Sequence, residues 1–245
     1  MIDTCVLTLP NWHAPDNIVA FTTQLLGGIS GGSYYSLNMG SHVGDDQAAV
    51  DFNRSLLPNP NQIHWLNQTH SDVSIRLPNA ETDADAAFTE SIGLVCAVMT
   101  ADCLPILVTD VNGEAVCAIH AGWRGLENEI IKKTINKAFL GTHRNNLMAW
   151  IGPNIRQCHY EVDLDLAKRF DRYSDAYLLG KNPQKAMLNL ETIAVQQLNE
   201  IGIAQVALNG ECTYRESDKY FSFRRASHKG FNNCGRMVSL IMRRE

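Results

Sequence analysis

The chain lacks most of the features that would assign it at sight. No stretch of its 245 residues approaches the roughly 20 consecutive apolar residues of a membrane span, so no membrane-embedded segment is expected. Its first residues, MIDTCVLTLPNWHAP, do not have the basic-then-apolar layout of a secretory leader. Basic runs are short and the formal net charge is −5, which argues against nucleic acid as the principal partner. The seven cysteines follow no disulfide framework, and an odd count without a leader fits reduced thiols and a cytoplasmic location. There is no C-x-x-C, no H-E-x-x-H, no H-x-E…P-C-x-x-C deaminase signature, no Gly-Lys-Ser/Thr and no G-x-G-x-x-G opening a helix. Repeats, long linkers and low-complexity tracts are missing too. With 45% hydrophobic residues available for a core, residues 1–245 read as one domain.

What is present gathers between Thr100 and Leu126, TADCLPILVTDVNGEAVCAIHAGWRGL. Two apolar runs, Leu104–Thr109 and Ala115–Ile119, flank Asn112-Gly113. Both residues of that dipeptide tolerate positive φ, so it predicts a two-residue hairpin turn. Counting outward pairs Val108 with Cys117 and Pro105 with His120, and sets Cys103 opposite Gly122. Alternation puts Cys103, Pro105 and His120 on one face, with thiol and imidazole meeting at the open end of the ribbon. A glycine turn then leads into Leu126–Leu140, where Leu126, Ile130, Ile131, Ile135, Ala138 and Phe139 make an apolar stripe at helical spacing. A helix start beside His120, with Arg124 in the turn, would favour an anion such as phosphate. The plain structural account is that Arg124 covers the helix end.

Elsewhere strands are expected at Ile18–Thr23, Ile63–Leu66, Ile92–Met99, Leu147–Ile151, Val206–Leu208 and Met237–Met242. Helices are expected over Asp51–Leu57, after Asp163, and from Leu190 to Ile201 with Gly202 as the stop. The alternation is too irregular for a doubly wound sheet. It predicts an α+β fold, a single layered domain with a mixed β-sheet core flanked by helices. GGISGGS reads as a flexible turn. The polar loop after Ser36 offers Asn38 and His42 as site candidates, against a loop held by its own side-chain hydrogen bonds. Arg54 is either an anion contact or a solvated arginine. His70 is an isolated histidine, of a kind usually structural. Tyr220-Phe-Ser-Phe-Arg-Arg sets aromatics beside Arg224 and Arg225.

Spacing alone leaves three readings of Cys103 and His120 open. One is a metal site needing a third ligand, for which His70 is one of several candidates. Another is a cysteine nucleophile activated by His120, as in a hydrolase acting on an amide or ester. The last is a small buried thiol packed beside a structural histidine.

The strings LNMGSHVGDD, QTH, MTADCLPIL, AIHAGWRGL, WIGPNI, YEV, CTY and YFSFRR…GRM, in this order, closely resemble the YfiH-type family. Its members are called laccase-domain proteins, polyphenol oxidases or purine nucleoside phosphorylases. The resemblance runs from about residue 20 to the C-terminus, and the TADC and HAGWRGL strings are highly specific. It implies a zinc site made by His70, Cys103 and His120. It also implies phosphorolysis of adenosine, inosine or methylthioadenosine, deamination of adenosine, and in bacterial relatives a link to correcting cell-wall precursors. Thr69 and Ser71 stand where relatives more often carry valine and glycine, and ASHKGFNNC (226–234) is a longer connector than the family's.

Copper is the alternative metal, because a His₂Cys set also suits a single copper centre. Eight histidines without one H-x-H pair cannot surround several coppers, so oxidase activity is expected to be secondary. In the expected mechanism, phosphate is held by Arg124 with Arg54 or Arg225 and attacks the ribose anomeric carbon. Asp102 and Glu161 are the candidate carboxylates for moving protons in deamination, against a structural role for both. The alternatives to a purine nucleoside enzyme are a Cys103–His120 hydrolase, a copper-loaded polyphenol oxidase, and a non-catalytic binding protein.

Overall fold

The computed structural model describes residues 7–245; Met1 to Val6, which hold Cys5 and the head of the segment inspected for leader character, lie outside the described residues. The strands are β1 (Leu7–Thr8), β2 (Ile18–Thr23), β3 (Ile63–His64), β4 (Ser74–Arg76), β5 (Ala86–Thr89), β6 (Val95–Thr100), β7 (Leu104–Asp110), β8 (Val116–Ala121), β9 (Leu147–Ile151), β10 (Glu161–Asp163), β11 (Tyr177–Leu179), β12 (Lys185–Leu188), β13 (Gln205–Leu208) and β14 (Met237–Arg243). The helices are α1 (Gln47–Ser55), α2 (Trp123–Glu127), α3 (Ile130–Ala138), α4 (Leu164–Ala167), α5 (Leu190–Glu200) and α6 (Phe223–His228).

Two mixed sheets carry the architecture, in keeping with the expected α+β class. One runs β1-β2-β14-β6-β3, antiparallel except for β3 on β6. The other runs β13-β9-β7-β8-β5-β4, with parallel pairs only at its two edges. A small antiparallel ribbon, β10-β12-β11, stands apart. β7 and β8 are buried at every position because both faces of their sheet are covered. Leu104, Ile106, Val108, Cys117 and Ile119 face α2, α3 and α5. Leu107, Val116 and Ala118 face the five-stranded sheet through Cys96, Val98 and Ile241. The outer face of the five-stranded sheet is closed by Leu37, Met39 and Leu57.

The hairpin register is as counted, with Pro105 opposite His120 and Val108 opposite Cys117. The turn differs. Only Gly113 has positive φ there, at 66°, and the Asp110 carboxylate ties the loop by accepting from the N–H groups of Asn112, Glu114 and Ala115. The expected helix from Leu126 is two helices. Glu129 sits in the left-handed region at φ 58°, and the Leu126 carbonyl accepts from Gln197 Nε2 (2.8 Å) and Glu129 N instead of continuing the ladder. The apolar stripe survives the break: Leu126, Ile130, Ile131 and Ile135 are fully buried, each contributing roughly 1.5–3 kcal/mol of transfer free energy.

Smaller boundaries shift for local reasons. α1 starts at Gln47, four residues before the expected Asp51, because Asp46 accepts from Ala48 N and caps it. β6 starts at Val95, after Gly93 at φ 82°. The glycine loop is pinned: Ser36 Oγ bonds both backbone groups of Gly28, and a Cβ on Gly28 would lie 2.4 Å from the Ser36 carbonyl.

Candidate metal centre

Strand ends from both sheets meet at one mouth. Asp85 precedes β5, Cys103 precedes β7, His120 is the penultimate residue of β8, Thr100 ends β6 and Arg236 precedes β14. The loop from β3 to β4 crosses from one sheet to the other and delivers His70, whose φ is 60°.

Ligand atoms of His70, Cys103 and His120 all lie within 4.8 Å of one another. His70 Nε2 is 3.8 Å from Cys103 Sγ, and the two imidazoles meet edge to face at 4.8 Å between centroids. His70 is exposed, Cys103 partly exposed and His120 buried. Asp85, with 0% exposure, ties the group together. Its Oδ1 accepts from His120 Nδ1 at 2.7 Å and from His70 N at 3.1 Å. Its Oδ2 accepts from Thr69 N, Ser71 N and Ser71 Oγ, and its backbone carbonyl takes His120 N. With Nδ1 committed to Asp85, Nε2 is the nitrogen that His120 turns to a ligand.

Charge within the group is shared accordingly. Removal from water opposes ionisation of Cys103, but the imidazoles of His120 and His70 outweigh it and draw the thiol well below its ordinary value. Burial likewise opposes a charged His120, and Cys103 with Asp85 overrides it upward. A thiolate and two imidazoles, with a third side open to a cavity, form a donor set suited to zinc or copper. Gly122 makes room for it: a Cβ there would lie 2.9 Å from His70 Cδ2 and 3.0 Å from Cys103 Sγ. The three residues fit a metal ion. Among the described residues this is the one such cluster.

The cavity beside it holds about 470 Å³ and is walled by Trp123, Tyr160 and Phe223, with Arg124, Arg224 and Arg236 among its polar groups. Arg124 stacks over Trp123 at 4.3 Å, and its guanidinium has no hydrogen-bond partner among the described residues. α2 has only five residues, so the cavity's attraction for an anion comes from the arginines more than from a helix end.

Several expected site residues are placed otherwise. Asp102, at φ 100°, has both oxygens taken, one by Thr213 Oγ1 and the other by Arg224 N (each 2.7 Å). It borders the cavity and anchors α6, with one donor already on each carboxylate oxygen. Glu161 is exposed on β10 and does not line the cavity; its carbonyl receives Arg224 Nη1. Asn38 is fully buried and spends its amide on Gly40, Asp45 and Arg236 N, which is the self-bonded loop. Arg54 lies against Trp65 and donates to the Met39 carbonyl, outside the cavity lining. Arg225 turns away and clasps the carbonyls of Thr213, Tyr214 and Tyr220, while its neighbour Arg224 takes the cavity position. His42 does stand at the cavity, where partial desolvation and then Arg236 and Arg54 hold its pKa below 6.5.

The sequence reading missed Asp85, Tyr160, Arg224 and Arg236 as site residues. For Arg236 the family-like G-R-M string was a signal; for Asp85 no local pattern marks it out from Asp83.

The chain is similar along most of its length to known proteins. Residues 19–244 match the family model described as multi-copper polyphenol oxidoreductase laccase. A Haemophilus influenzae protein named purine nucleoside phosphorylase is 40% identical, over 95% of this chain and 97% of its own. Purine nucleoside phosphorylase YfiH of Escherichia coli is 35% identical, over 96% of this chain and 98% of its own. A Neisseria meningitidis protein of solved structure superposes with a TM-score of 0.90 at 36% identity, covering 98% of this chain and all of that one. YlmD from Geobacillus stearothermophilus follows at 0.85 and 26% identity, covering 94% of this chain and 93% of its own. The chain therefore belongs to the laccase-like, YfiH-type family whose curated relatives are named purine nucleoside phosphorylases.

Proposed function

We propose that this chain is a zinc-dependent purine nucleoside enzyme that phosphorolyses adenosine, inosine or methylthioadenosine and also deaminates adenosine. The observation that carries the proposal is the guanidinium of Arg124, unpartnered among the described residues, opening on the same cavity as the His70–Cys103–His120 cluster. A metal held by those three residues would supply Lewis-acid polarisation of water or substrate. The aromatic faces of Trp123, Tyr160 and Phe223 offer flat apolar surface to a purine. Arg124 and Arg224 hold phosphate against the sugar and neutralise charge as its oxygen bonds to the anomeric carbon and the base leaves with the bonding electrons. His42, neutral near pH 7, takes the proton of the attacking phosphate at the cavity and returns it to the departing base. Asp102 serves as a positioning residue that fixes the start of α6. The six described cysteines are all free, which supports a cytoplasmic location.

Product chromatography after adding adenosine and inorganic phosphate to the zinc-replete protein tests the reading. Adenine reports phosphorolysis, and inosine or the hypoxanthine it yields reports deamination; none of the three appearing would reject it. Arg124→Ala should lower phosphorolytic kcat/KM by roughly 10- to 100-fold, the equivalent of one charge-assisted hydrogen bond, with zinc content unchanged. Loss of zinc in that variant would contradict its assignment to phosphate.

A cysteine hydrolase is the second reading, because Cys103, His120 and Asp85 have the layout of nucleophile, base and orienting carboxylate. Rapid alkylation of Cys103 in metal-free, fully active protein would favour it. Stoichiometric zinc that disappears in Cys103→Ser favours the metal enzyme. A copper-loaded oxidase would use the same donors, but a single three-residue cluster holds one ion rather than several.

A further inference from the structure

Away from the cavity, a second set of sulfur and imidazole groups converges on one nitrogen. Cys158 Sγ lies 3.2 Å and Cys212 Sγ 3.4 Å from His159 Nδ1. Cys158 is exposed on the short turn Gln157–His159, whereas Cys212 is buried. The His159 ring is stacked on Tyr214 with centroids 4.6 Å apart, and the Tyr214 hydroxyl is 3.0 Å from His228 Nδ1. The backbone holds the two segments side by side: Asn154 bridges to Cys212, and Arg156 N–H donates to Cys212 Sγ at 3.4 Å.

A ring nitrogen carries either one lone pair or one proton. Facing two sulfurs at once, it is placed to take a proton from either one and pass it on. We propose that Cys158 and Cys212 are a modification site for small hydroperoxides, with His159 as the proton carrier between them. Cys158, the sulfur that solvent reaches, attacks the terminal oxygen of the peroxide. The O–O bond breaks, Cys158 becomes a sulfenic acid, and the leaving alkoxide or hydroxide takes the proton of His159. Cys212 then attacks the Cys158 sulfur as the exposed side chain rotates inward. The S–O bond breaks, water leaves with the proton Cys212 gives up, and a disulfide remains. Two thiols and one hydroperoxide thus yield one disulfide, one water and one alcohol, or two waters from hydrogen peroxide.

The bond would be felt at the cavity without touching it. Tyr160, next to His159, lines the cavity wall, and Thr213, next to Cys212, holds Asp102 at the start of α6. The thiol pair and His159 share no residue with the metal cluster.

The test is hydrogen peroxide added to the full-length metal-loaded protein, followed by non-reducing peptide mapping, with dimedone trapping in parallel. The expected result is a joined Cys158–Cys212 peptide and a mass lower by two hydrogens, reversed by dithiothreitol. Cys212→Ala should accumulate the dimedone adduct on Cys158, and His159→Gln should slow its formation. Cys158 left unmodified while other cysteines oxidise would overturn the proposal. So would a Cys158 adduct that accumulates as fully in the wild type as in Cys212→Ala.

Discussion

Asp85→Asn is the substitution that most directly probes how the metal centre is built. The side chain keeps its shape and loses one acceptor oxygen, in a position where every neighbour is a donor: His120 Nδ1 and His70 N on one side, Thr69 N, Ser71 N and Ser71 Oγ on the other. If the asparagine oxygen faces His120, its NH₂ group confronts the amides of Thr69 and Ser71. Two backbone donors then lose their acceptor, at about 1–3 kcal/mol each where they are buried. If the amide turns over, NH₂ faces His120 Nδ1, which must become the acceptor. The imidazole proton then moves to Nε2, the nitrogen required as ligand. Either orientation weakens the site. The expected loss is roughly 10- to 100-fold in Zn²⁺ affinity, about 1.4–2.7 kcal/mol, measured by competition with a chromophoric chelator. On the acid side the pH response has a definite sign. Burial works to raise the Asp85 carboxyl, but hydrogen bonds and charge from His120 and Ser71 hold it below 3.8. Its contribution to stability is therefore fully present above that value and lost as pH falls below it, and the variant lacks this loss. Unchanged zinc affinity in a variant that melts like the wild type would refute the reasoning.

Gly122→Ala places a methyl 2.9–3.0 Å from His70 and Cys103, so zinc content should fall while far-UV circular dichroism stays native; full zinc occupancy would show that the cradle has slack. Glu211 is buried enough for its carboxyl to be pushed up, but Lys219 Nζ at 2.6 Å and the Tyr220 hydroxyl pull it below 4.5. That contribution is present above 4.5 and disappears as pH falls through the depressed value, so Glu211→Gln should flatten the acid limb of a Tm-against-pH curve. An acid limb as steep as the wild type's would rule out a role for Glu211 in it.

Local pattern carried the centre of the fold. Asn112-Gly113 between apolar runs set the β7–β8 register, and that register alone brought Cys103 and His120 to one end, because a slip of one residue would have reversed every side chain. The strand Leu147–Ile151 was read to the residue for the same reason, an apolar run ended by Gly152-Pro153. The break between α2 and α3 was hidden because its cause, Gln197, lies 71 residues away in sequence. A helical stripe records which side chains are buried, and the same six residues are buried whether the backbone between them is continuous or not.

The candidate metal ligands and their organiser differ in the same way. The hairpin pairs Cys103 and His120 through backbone geometry, while His70 reaches them through the crossing from β3 to β4 and was placed only by family resemblance. Asp85 had neither support. Its role comes from five donors supplied by two separate segments, residues 69–71 and His120, and no single segment carries the pattern. Arg224 and Arg225 show the limit at its finest. They are adjacent in the first turn of α6, where a step of one residue rotates the side chain by roughly 100°, so one faces the cavity and the other clasps backbone carbonyls behind it. The Asp102 carboxylate that accepts from Arg224 N fixes the start of α6, which makes Asp102 decisive for which arginine faces the cavity.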